Sequence, residues 1–469
     1  MKTTIPTFKL KPVFKEMLGD LETPVSLYMK LGGVNSFLLE SVTGGENIAR
    51  YSFVGLDPFC TFQAKGESIS VDISGNSYNY EDNPIDALEN LMSRFEIEHV
   101  EGLPKFVGGA VGFFPWEIIE DIEPVSLKGT NKDTVKGQFM FPRVMIIFDH
   151  VKRRIILLVW SIDGDESGAR KRLDEIETLI KKPLTEYHVD IDSQSVKDPY
   201  SKTNSNYKKE DFLKHVDKVK DHIYEGDVFQ LVLSQKFSID SKKKPFEVYR
   251  KLRSVNPSPY MFYFQFEKQI IIGTSPEILV RLEDDHATLR PIAGTRPRII
   301  GKEDEMIESL LNDEKECAEH IMLVDLGRND LGRVCKYNSV KTTSIKEIEK
   351  YSHVLHMVSN VEGKIDDSKN AFDLFKATFP CGTVSGAPKI RAIEIIDKLE
   401  PEKRGIYSGA IGYFDFRGNM DFCIAIRTII YENDKYYVQA GAGVVADSVP
   451  ENEFQETRNK AKGMVMACL

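Results

Sequence analysis

Two segments carry pairs of glutamates at helical spacing. Glu316 and Glu319 lie in "NDEKECAEHIMLVDLGRNDLGRV", and Glu453 and Glu456 lie in "PENEFQETRNKAKGMV". Side chains three residues apart share one face of a helix. If the two helices face each other, the four carboxylates form an oxygen-rich site that suits Mg²⁺. Glutamates at this spacing are also common ion-pair partners on exposed helices, so each pair alone leaves both interpretations open.

Two glycine-containing segments could hold an anion. "FPCGTVSGAPKIRAIEIID" is a turn that leads into a helix and offers backbone N–H groups with the hydroxyls of Thr383 and Ser385. It lacks P-loop spacing, and a helix start capped by serine is the alternative. In "VQAGAGVVADSVP", Gly441 and Gly443 remove side chains at a strand end. That allows a ligand to approach the backbone, or forms a bulge.

Two polar residues lie in strand-like apolar segments. Arg427 interrupts "FCIAIRTII", where a buried guanidinium needs either a substrate carboxylate or an internal Asp or Glu. His356 in "YSHVLHMVSNVEG" is either a satisfied core histidine or a group with a chemical role. A third segment, "RPIAGTRPR" (290–298), places three arginines around Ala293 and is typical of a turn that faces an anion.

These residues must be positioned by strands and helices in an α+β fold. Residues 1–182 form one predicted unit, with helices over 84–98 and 163–182. Its strand-like segments are rich in β-branched and aromatic residues: 36–42, 52–56, 60–64, 68–73, 143–151 and 154–162. The polar stretch 183–207 is the predicted linker or crossing loop. Residues 208–469 begin with an amphipathic helix and then mix strands and helices, including a hairpin over 407–429. This mixture favours large antiparallel sheets covered by helices.

Composition narrows the class of protein. The chain has 469 residues, which is too long for one compact core, and its net charge of −10 argues against nucleic-acid binding. The start of the chain lacks a signal-peptide pattern, and the longest apolar runs are too short to span a membrane. Six scattered cysteines are typical of reduced thiols. We therefore expect a cytoplasmic protein with no membrane or nucleic-acid partner.

Seven of these motifs occur in the order found in one family. "PIAGTRPR", "DEKECAEHIMLVDLGRNDLGRV", "CGTVSGAPKIRAIEIID", "YSGAIGY", "IAIRTI", "QAGAGVVADS" and "ENEFQET" together resemble the chorismate-utilising enzymes, most closely those that make anthranilate. The resemblance covers nearly the whole chain. It implies a four-layer α/β/β/α sandwich, with an N-terminal regulatory part packed against the catalytic part.

The resemblance also implies roles for single residues. Glu319 and Glu456 would bind Mg²⁺ directly, with Glu316 and Glu453 close by, and the metal would hold the ring carboxylate of chorismate. His356 would lie near the leaving hydroxyl and Thr383 would line the pocket. The remaining substrate-binding positions are Thr295, Tyr407, Arg427, Gly441, Ala442, Gly443 and Lys460.

Three positions separate this chain from sister enzymes. Isochorismate and salicylate synthases carry a lysine that activates water where this chain has Gln230, and a glutamate before the "P-x-A-G-T" motif where it has Arg290. Aminodeoxychorismate synthase, the main alternative, typically has a lysine nucleophile where this chain has Ala293. Ammonia attacking ring C2 directly is the remaining route, which favours anthranilate and pyruvate as products.

The resemblance implies an inhibitor and a partner. "LLES", followed by "RYSFVG", resembles a tryptophan feedback site, although "LLES" alone is also an ordinary strand end. L-Tryptophan would contact the set Glu40, Ser41, Pro259, Tyr260 and Met261. No cysteine lies in a nucleophile elbow, so a separate glutamine amidotransferase subunit would supply ammonia.

Overall fold

The computed structural model describes residues 5–41, 50–184, 198–350 and 354–469, apart from the side chains of Thr295, Pro297 and Val354. The helices are α1 (Pro24–Leu31), α2 (Pro84–Met92), α3 (Glu166–Ile180), α4 (Lys209–Tyr224), α5 (Pro245–Val255), α6 (Glu303–Leu311), α7 (Glu314–Gly332), α8 (Ala371–Thr378), α9 (Lys389–Leu399) and α10 (Pro450–Cys468). Short 3₁₀ turns cover Trp116–Asp121, Pro199–Lys202 and Gly382–Val384.

The strands are β1 (Phe8–Leu18), β2 (Ser36–Glu40), β3 (Tyr51–Lys65), β4 (Ser68–Ile73), β5 (Asn76–Glu81), β6 (Phe95–Ile97), β7 (Gly109–Phe114), β8 (Val135–Asp149), β9 (Arg154–Ile162), β10 (Thr203–Ser205), β11 (Gln230–Ile239), β12 (Tyr260–Gln265), β13 (Ile270–Ser275), β14 (Ile278–Glu283), β15 (His286–Leu289), β16 (Ile292–Pro297), β17 (Lys341–Lys350), β18 (Val354–Lys364), β19 (Gly386–Ala387), β20 (Ala410–Asp415), β21 (Met420–Ile424), β22 (Thr428–Glu432) and β23 (Lys435–Val444).

Two antiparallel sheets meet at the long strand β8. The first runs through β10, β11, β23, β22, β13, β12, β2, β3 and β8. The second leaves β8 through β7, β20, β21, β14, β15 and β18, and β18 also pairs with β16 and β17. Because β2 pairs with β12 and β7 pairs with β20, strands from the predicted N-terminal and C-terminal parts share both sheets.

Helices cover the sheets on their outer faces. Along β12, Phe262 and Phe264 belong to one buried cluster while Met261 and Tyr263 belong to the other, as expected for a strand whose side chains alternate between two buried faces. The second cluster contains residues of α1, α3, α5 and α10. On the other sheet, Phe372 of α8 stacks on Phe414. The predicted α+β sandwich of two sheets flanked by helices is confirmed.

Most predicted elements are present, but the helix predicted over 84–98 is wrong beyond Met92. The chain leaves the helix at Ser93, and Phe95–Ile97 forms β6, which pairs in parallel with β1. Phe95 alternates with exposed Glu96, so a strand buries its apolar side chains better there than another helical turn. Within the predicted linker, Thr203–Ser205 pairs with β11, while residues 185–197 lie outside the described residues.

The cysteines and the helices bear on two expectations from composition. All six cysteines are free thiols. Across the described ranges, every helix is too short or too polar to cross a membrane.

Candidate functional site

Helices α7 and α10 carry the two glutamate pairs. Asp313 caps the N-terminus of helix α7, and its side chain accepts hydrogen bonds from the backbone N–H groups of Lys315 and Glu316. Burial raises the pKa of Glu319, and the charges of Glu316 and Glu456 raise it further. Because the pKa of a glutamate on α7 responds to one on α10, the helices bring their carboxylates into one electrostatic environment.

Only two of these four carboxylates are paired with a cationic side chain among the described residues. Lys460 Nζ lies 2.7 Å from Glu456 Oε1, and Arg296 Nη1 lies 3.0 Å from Glu316 Oε1. Within the described residues, no Lys, Arg or His side chain pairs with Glu319 or Glu453. Burial also raises the pKa of Glu453, which is 9% exposed. Two of the four carboxylates are therefore partly desolvated and have no ion-pair partner among the described residues, which leaves a net negative charge at this cluster that suits a hard divalent cation.

The four carboxylates do not form a compact set of ligand atoms around one metal position. In the described part of the chain, three ligand atoms approach within 4.8 Å of one another only at His222, Glu225 and Asp227 on another surface. There Asp227 is already paired with Arg391 at 2.9 Å. On α7, the ion pair with Arg296 turns Glu316 toward β16, against Gly294, where an added Cβ would lie 3.2 Å from Glu316 Oε2.

Strand β23 offers backbone groups beside these helices. Lys460 Nζ donates to the carbonyl oxygen of Gly441 at 3.1 Å. A Cβ at Gly441 would lie 2.7 Å from the Tyr407 hydroxyl, and one at Gly443 would lie 2.8 Å from Gln230 Nε2. Ala442, between the glycines, is fully buried and pairs with Leu233 of β11. Glycine at 441 and 443 therefore lets the Tyr407 hydroxyl and the Gln230 amide pack directly against this strand, in the space that a side chain would fill.

Arg427 is a partly buried cation of this region. Its guanidinium donates through Nη1 to the carbonyl oxygen of Lys460. No carboxylate of the described residues lies within 4 Å of it, and burial lowers its pKa. The internal Asp or Glu that the sequence left open is therefore not found in the described part of the chain. Tyr407 faces the same region, and burial raises its pKa to about 12.

Thr383 and a residue that sequence reasoning missed, Glu277, lie together. Glu277 is 7% exposed, and burial raises the pKa of its carboxyl to about 7, although a hydrogen bond with the Thr383 side chain and the charge of Lys460 oppose the rise. Both residues line a cavity of about 390 Å³ including space open to solvent, together with Cys381 and the α7 residue Leu326. The only sequence signal is a glutamate after "IIIGTSP", where an apolar strand breaks at a proline.

His356 lies on β18 opposite Thr295 of β16. Its Nδ1 lies 3.2 Å from the carbonyl oxygen of Gly294, so Nδ1 carries the proton in that hydrogen bond. Burial lowers the pKa of His356, which keeps the ring neutral near pH 7. The side chain of Thr295 lies outside what the structure describes. Ala293 pairs with Met357, one residue before the bulge at Gly294.

The arginines of "RPIAGTRPR" already have protein carboxylates as partners. Arg290 pairs with Glu349, Arg296 with Glu316 and Asp313, and Arg298 with Glu303. The interpretation of this segment as an anion-facing turn is therefore wrong for its arginine side chains, because each guanidinium is used within the protein.

A second cavity, of about 580 Å³ including space open to solvent, lies between β2, β12 and β21. All five residues predicted to contact tryptophan line it: Glu40, Ser41, Pro259, Tyr260 and Met261. The carboxylate of Glu40 accepts from the Tyr249 hydroxyl at 2.6 Å and from Arg253 at 3.0 and 3.1 Å. The Ser41 hydroxyl is buried and has no hydrogen-bond partner among the described residues.

Comparisons with known proteins agree with one another. A family model described as chorismate binding enzyme matches residues 34–466. The chain is 45% identical to anthranilate synthase component 1 of Acetivibrio thermocellus, over 100% of this chain and 97% of the relative. It is 44% identical to the protein of the same name in Synechocystis, over 97% and 95%.

Solved structures resemble the fold. Anthranilate synthase component I from Streptococcus pneumoniae aligns with a TM-score of 0.80 and 37% identity, over 96% of this chain and 99% of that one. The menaquinone-specific isochorismate synthase from Escherichia coli aligns with a TM-score of 0.75 and 18% identity, over 99% and 96%, which supports the fold alone.

Proposed function

Because the chain belongs to the family of chorismate-binding enzymes, we propose that it is a carbon–oxygen lyase that converts chorismate and ammonia to anthranilate and pyruvate. The relatives named anthranilate synthase component 1 support this reaction. The observation that carries it is Arg427, a partly buried guanidinium that forms no ion pair with a carboxylate of the described residues and donates to the carbonyl oxygen of Lys460. Identification of the product formed from chorismate, ammonium and Mg²⁺ tests the proposal.

The substrate would be held at its two carboxylates. Arg427, Lys460 and the Tyr407 hydroxyl are suited to the enolpyruvyl carboxylate, and Gly441 lets that hydroxyl lie against β23. Glu319 and Glu456 would hold Mg²⁺ from α7 and α10. When bound, Mg²⁺ supplies Lewis acidity to the ring carboxylate and so makes C2 electrophilic.

Glu277 is the better proton donor for the C4 hydroxyl. With a pKa of about 7, its carboxyl is protonated in much of the population near neutral pH. His356 is neutral there and already donates its Nδ1 proton to a backbone carbonyl, so it is less suited to be the acid. We assign His356 and Thr295 to the wall around the leaving hydroxyl and Thr383 to the orientation of Glu277.

Ammonia is the nucleophile that the pocket favours. Neither Gln230 nor Ala293 can serve as a base or as a covalent nucleophile, so neither water activation nor capture of C2 by lysine is available at these positions. We expect a separate glutamine amidotransferase subunit to provide the ammonia. With ammonium salts, the isolated chain should form anthranilate without it.

Installing a lysine at position 293 tests the assignment of ammonia. We expect Ala293→Lys to lower anthranilate formation roughly 10-fold or more, because an amine at this position would compete for C2. Mass spectrometry of the protein should detect a covalent adduct with chorismate, or the product mixture should shift toward 4-amination. Ala293→Met, of similar length without an amine, is the matched control. Unchanged anthranilate production in Ala293→Lys would contradict the assignment.

We also propose that tryptophan inhibits the enzyme from the cavity between β2 and β12. The Ser41 hydroxyl, which has no partner among the described residues, and the apolar side chains of Pro259 and Met261 suit an amino acid with a large ring. Tyr249 and Arg253 already donate hydrogen bonds to the carboxylate of Glu40. Glu40 can therefore bind the ammonium group of a ligand only through its remaining lone pairs.

Ser41→Phe should relieve this inhibition, because the aromatic ring would fill the cavity. We expect the tryptophan concentration for half inhibition to rise by roughly 10-fold or more, with kcat for ammonia-dependent anthranilate formation near the wild-type value. Ser70→Phe, at an exposed position of β4, is the control for a bulky substitution. Inhibition by tryptophan that stays unchanged in Ser41→Phe would rule out this cavity as the effector site.

A further inference from the structure

Arg404 is a buried arginine whose donors are all used. Its side chain is 1% exposed. Nε donates to Glu400 Oε2 at 2.9 Å, and Nη2 donates to Glu400 Oε1 at 2.7 Å and to the carbonyl oxygen of Val232 at 2.8 Å. Nη1 donates to the carbonyl oxygen of Val384 at 2.7 Å and to Ser408 Oγ at 3.2 Å. A guanidinium has five N–H groups, and here each has an acceptor.

Two of these acceptors adjoin residues that face the proposed substrate. Val384 directly follows Thr383 in the 3₁₀ turn, and Ser408 directly follows Tyr407. The guanidinium carbon also lies 5.5 Å from the centre of the Tyr407 ring. One side chain therefore connects the turn that carries Thr383 to the segment that carries Tyr407.

The other acceptors reach strand β23. Val232 pairs with Gly443 in the β11–β23 register, and Ser234 pairs with Gly441. Glu400 Oε1 accepts from the backbone N–H of Ser234 at 2.8 Å and from its hydroxyl at 2.7 Å. The Arg404–Glu400 pair thus holds the strand that pairs with Gly441 and Gly443, the two glycines against which the Tyr407 hydroxyl and the Gln230 amide pack.

Stability alone is a weak explanation for such a pair. Removing two charges from water costs several kcal/mol per ion, and well-packed apolar residues often replace a buried ion pair without loss of stability. A planar group with five directed donors fixes relative positions in a way that apolar packing does not.

We propose that Arg404 is a positioning residue that sets the relative placement of Thr383, Tyr407 and the Gly441–Gly443 strand for binding of the substrate anion. This proposal rests on the proposed function of the site. Arg404 itself does not contact the substrate; it acts through the four segments that accept its hydrogen bonds.

The test compares Arg404→Lys with Lys30→Met. Lysine keeps the charge but has three donors and no planar fork. We expect kcat/KM for chorismate to fall roughly 100-fold in Arg404→Lys, chiefly through KM, because a misplaced anion site costs binding before chemistry. Lys30 is 9% exposed and pairs with Glu22 on the regulatory side, so its loss lowers the melting temperature without touching this network. We expect Lys30→Met to keep kcat/KM within about 3-fold.

A milder variant covers the case in which Arg404→Lys does not fold. Ser408→Ala removes one acceptor of Nη1, and we expect the KM for chorismate to rise about 5-fold with an unchanged circular dichroism spectrum. A KM rise in either variant with the fold intact supports the proposal. The proposal is overturned if Arg404→Lys and Lys30→Met lose activity in the same proportion to their loss of melting temperature. It is also overturned if Ser408→Ala has the wild-type KM. Failure of the proposed function is distinguishable, because the wild-type chain would then form no anthranilate at all.

Discussion

Glu277→Gln is expected to lower kcat for anthranilate formation by roughly 100- to 10,000-fold while leaving the KM for chorismate near the wild-type value. Glutamine keeps the shape of the side chain and can still hydrogen-bond to Thr383, but it cannot transfer a proton. Loss of the C4 hydroxyl as hydroxide would then have no acid catalyst. Initial rates at saturating chorismate, ammonium and Mg²⁺ measure the effect.

The pKa of Glu277 also predicts the direction in which kcat changes with pH. Burial raises the pKa of Glu277 to about 7 from an ordinary value of 4.5, so the acid is protonated below that pH and loses its proton above it. With free ammonia held constant, kcat of the wild type should be level below about pH 7 and fall about 10-fold per pH unit above it. In Glu277→Gln, this decrease should be absent.

Asp330→Asn is the matched control for Glu277. Asp330 lines the same cavity, is 6% exposed and has a pKa that burial raises, but its carboxylate pairs with Lys389 at 3.2 Å. We expect this variant to lower stability and to keep the descending pH limb. A Glu277→Gln enzyme with wild-type kcat, or one that keeps the limb, would show that another group donates the proton.

Loss of the carboxylates on α7 and α10 should have an effect at least as large. We expect Glu319→Gln or Glu456→Gln to lower Mg²⁺-dependent turnover by roughly 1,000-fold or more, because Lewis-acid stabilisation is worth several kcal/mol. The amide is neutral and a poor ligand for a hard cation. Isothermal titration with Mg²⁺ should show weaker binding, and circular dichroism should show that the fold is intact.

Exposed glutamates on the same helices provide the controls. Glu314 lies in the first turn of α7 and Glu451 in the first turn of α10, where it pairs with Lys209. Their glutamine variants should bind Mg²⁺ and turn over as the wild type does. If Glu319→Gln and Glu456→Gln bind Mg²⁺ with wild-type affinity, the metal lies elsewhere.

The sequence predicted the fold and the segments of the site better than the contacts within it. Ordered motifs placed Glu319, Glu456 and Arg427 on α7, on α10 and beside β22, because helix spacing and apolar runs are local properties of the chain. The salt bridge that turns Glu316 toward Arg296 depends on how α7 packs on β16. That contact is not local, so it could not be anticipated.

Glu277 and Arg404 were missed for the same reason. The pKa of Glu277 is raised because segments distant in the sequence bury its carboxyl, and the local sequence "TSPEIL" does not indicate that burial. Arg404 looks like an exposed charge in "PEKRGIY", yet it is one of the most buried side chains of the site. In contrast, the turn arginines that looked functional are used in ordinary ion pairs.

The central claim is that this site adds ammonia to C2 of chorismate with loss of the C4 hydroxyl and pyruvate. The most direct test incubates the purified chain with chorismate, ammonium and Mg²⁺ and identifies the product by fluorescence and mass spectrometry. We predict anthranilate and an equal amount of pyruvate, formed only when all three components are present. Formation of 4-amino-4-deoxychorismate or isochorismate, or no consumption of chorismate, would contradict the account.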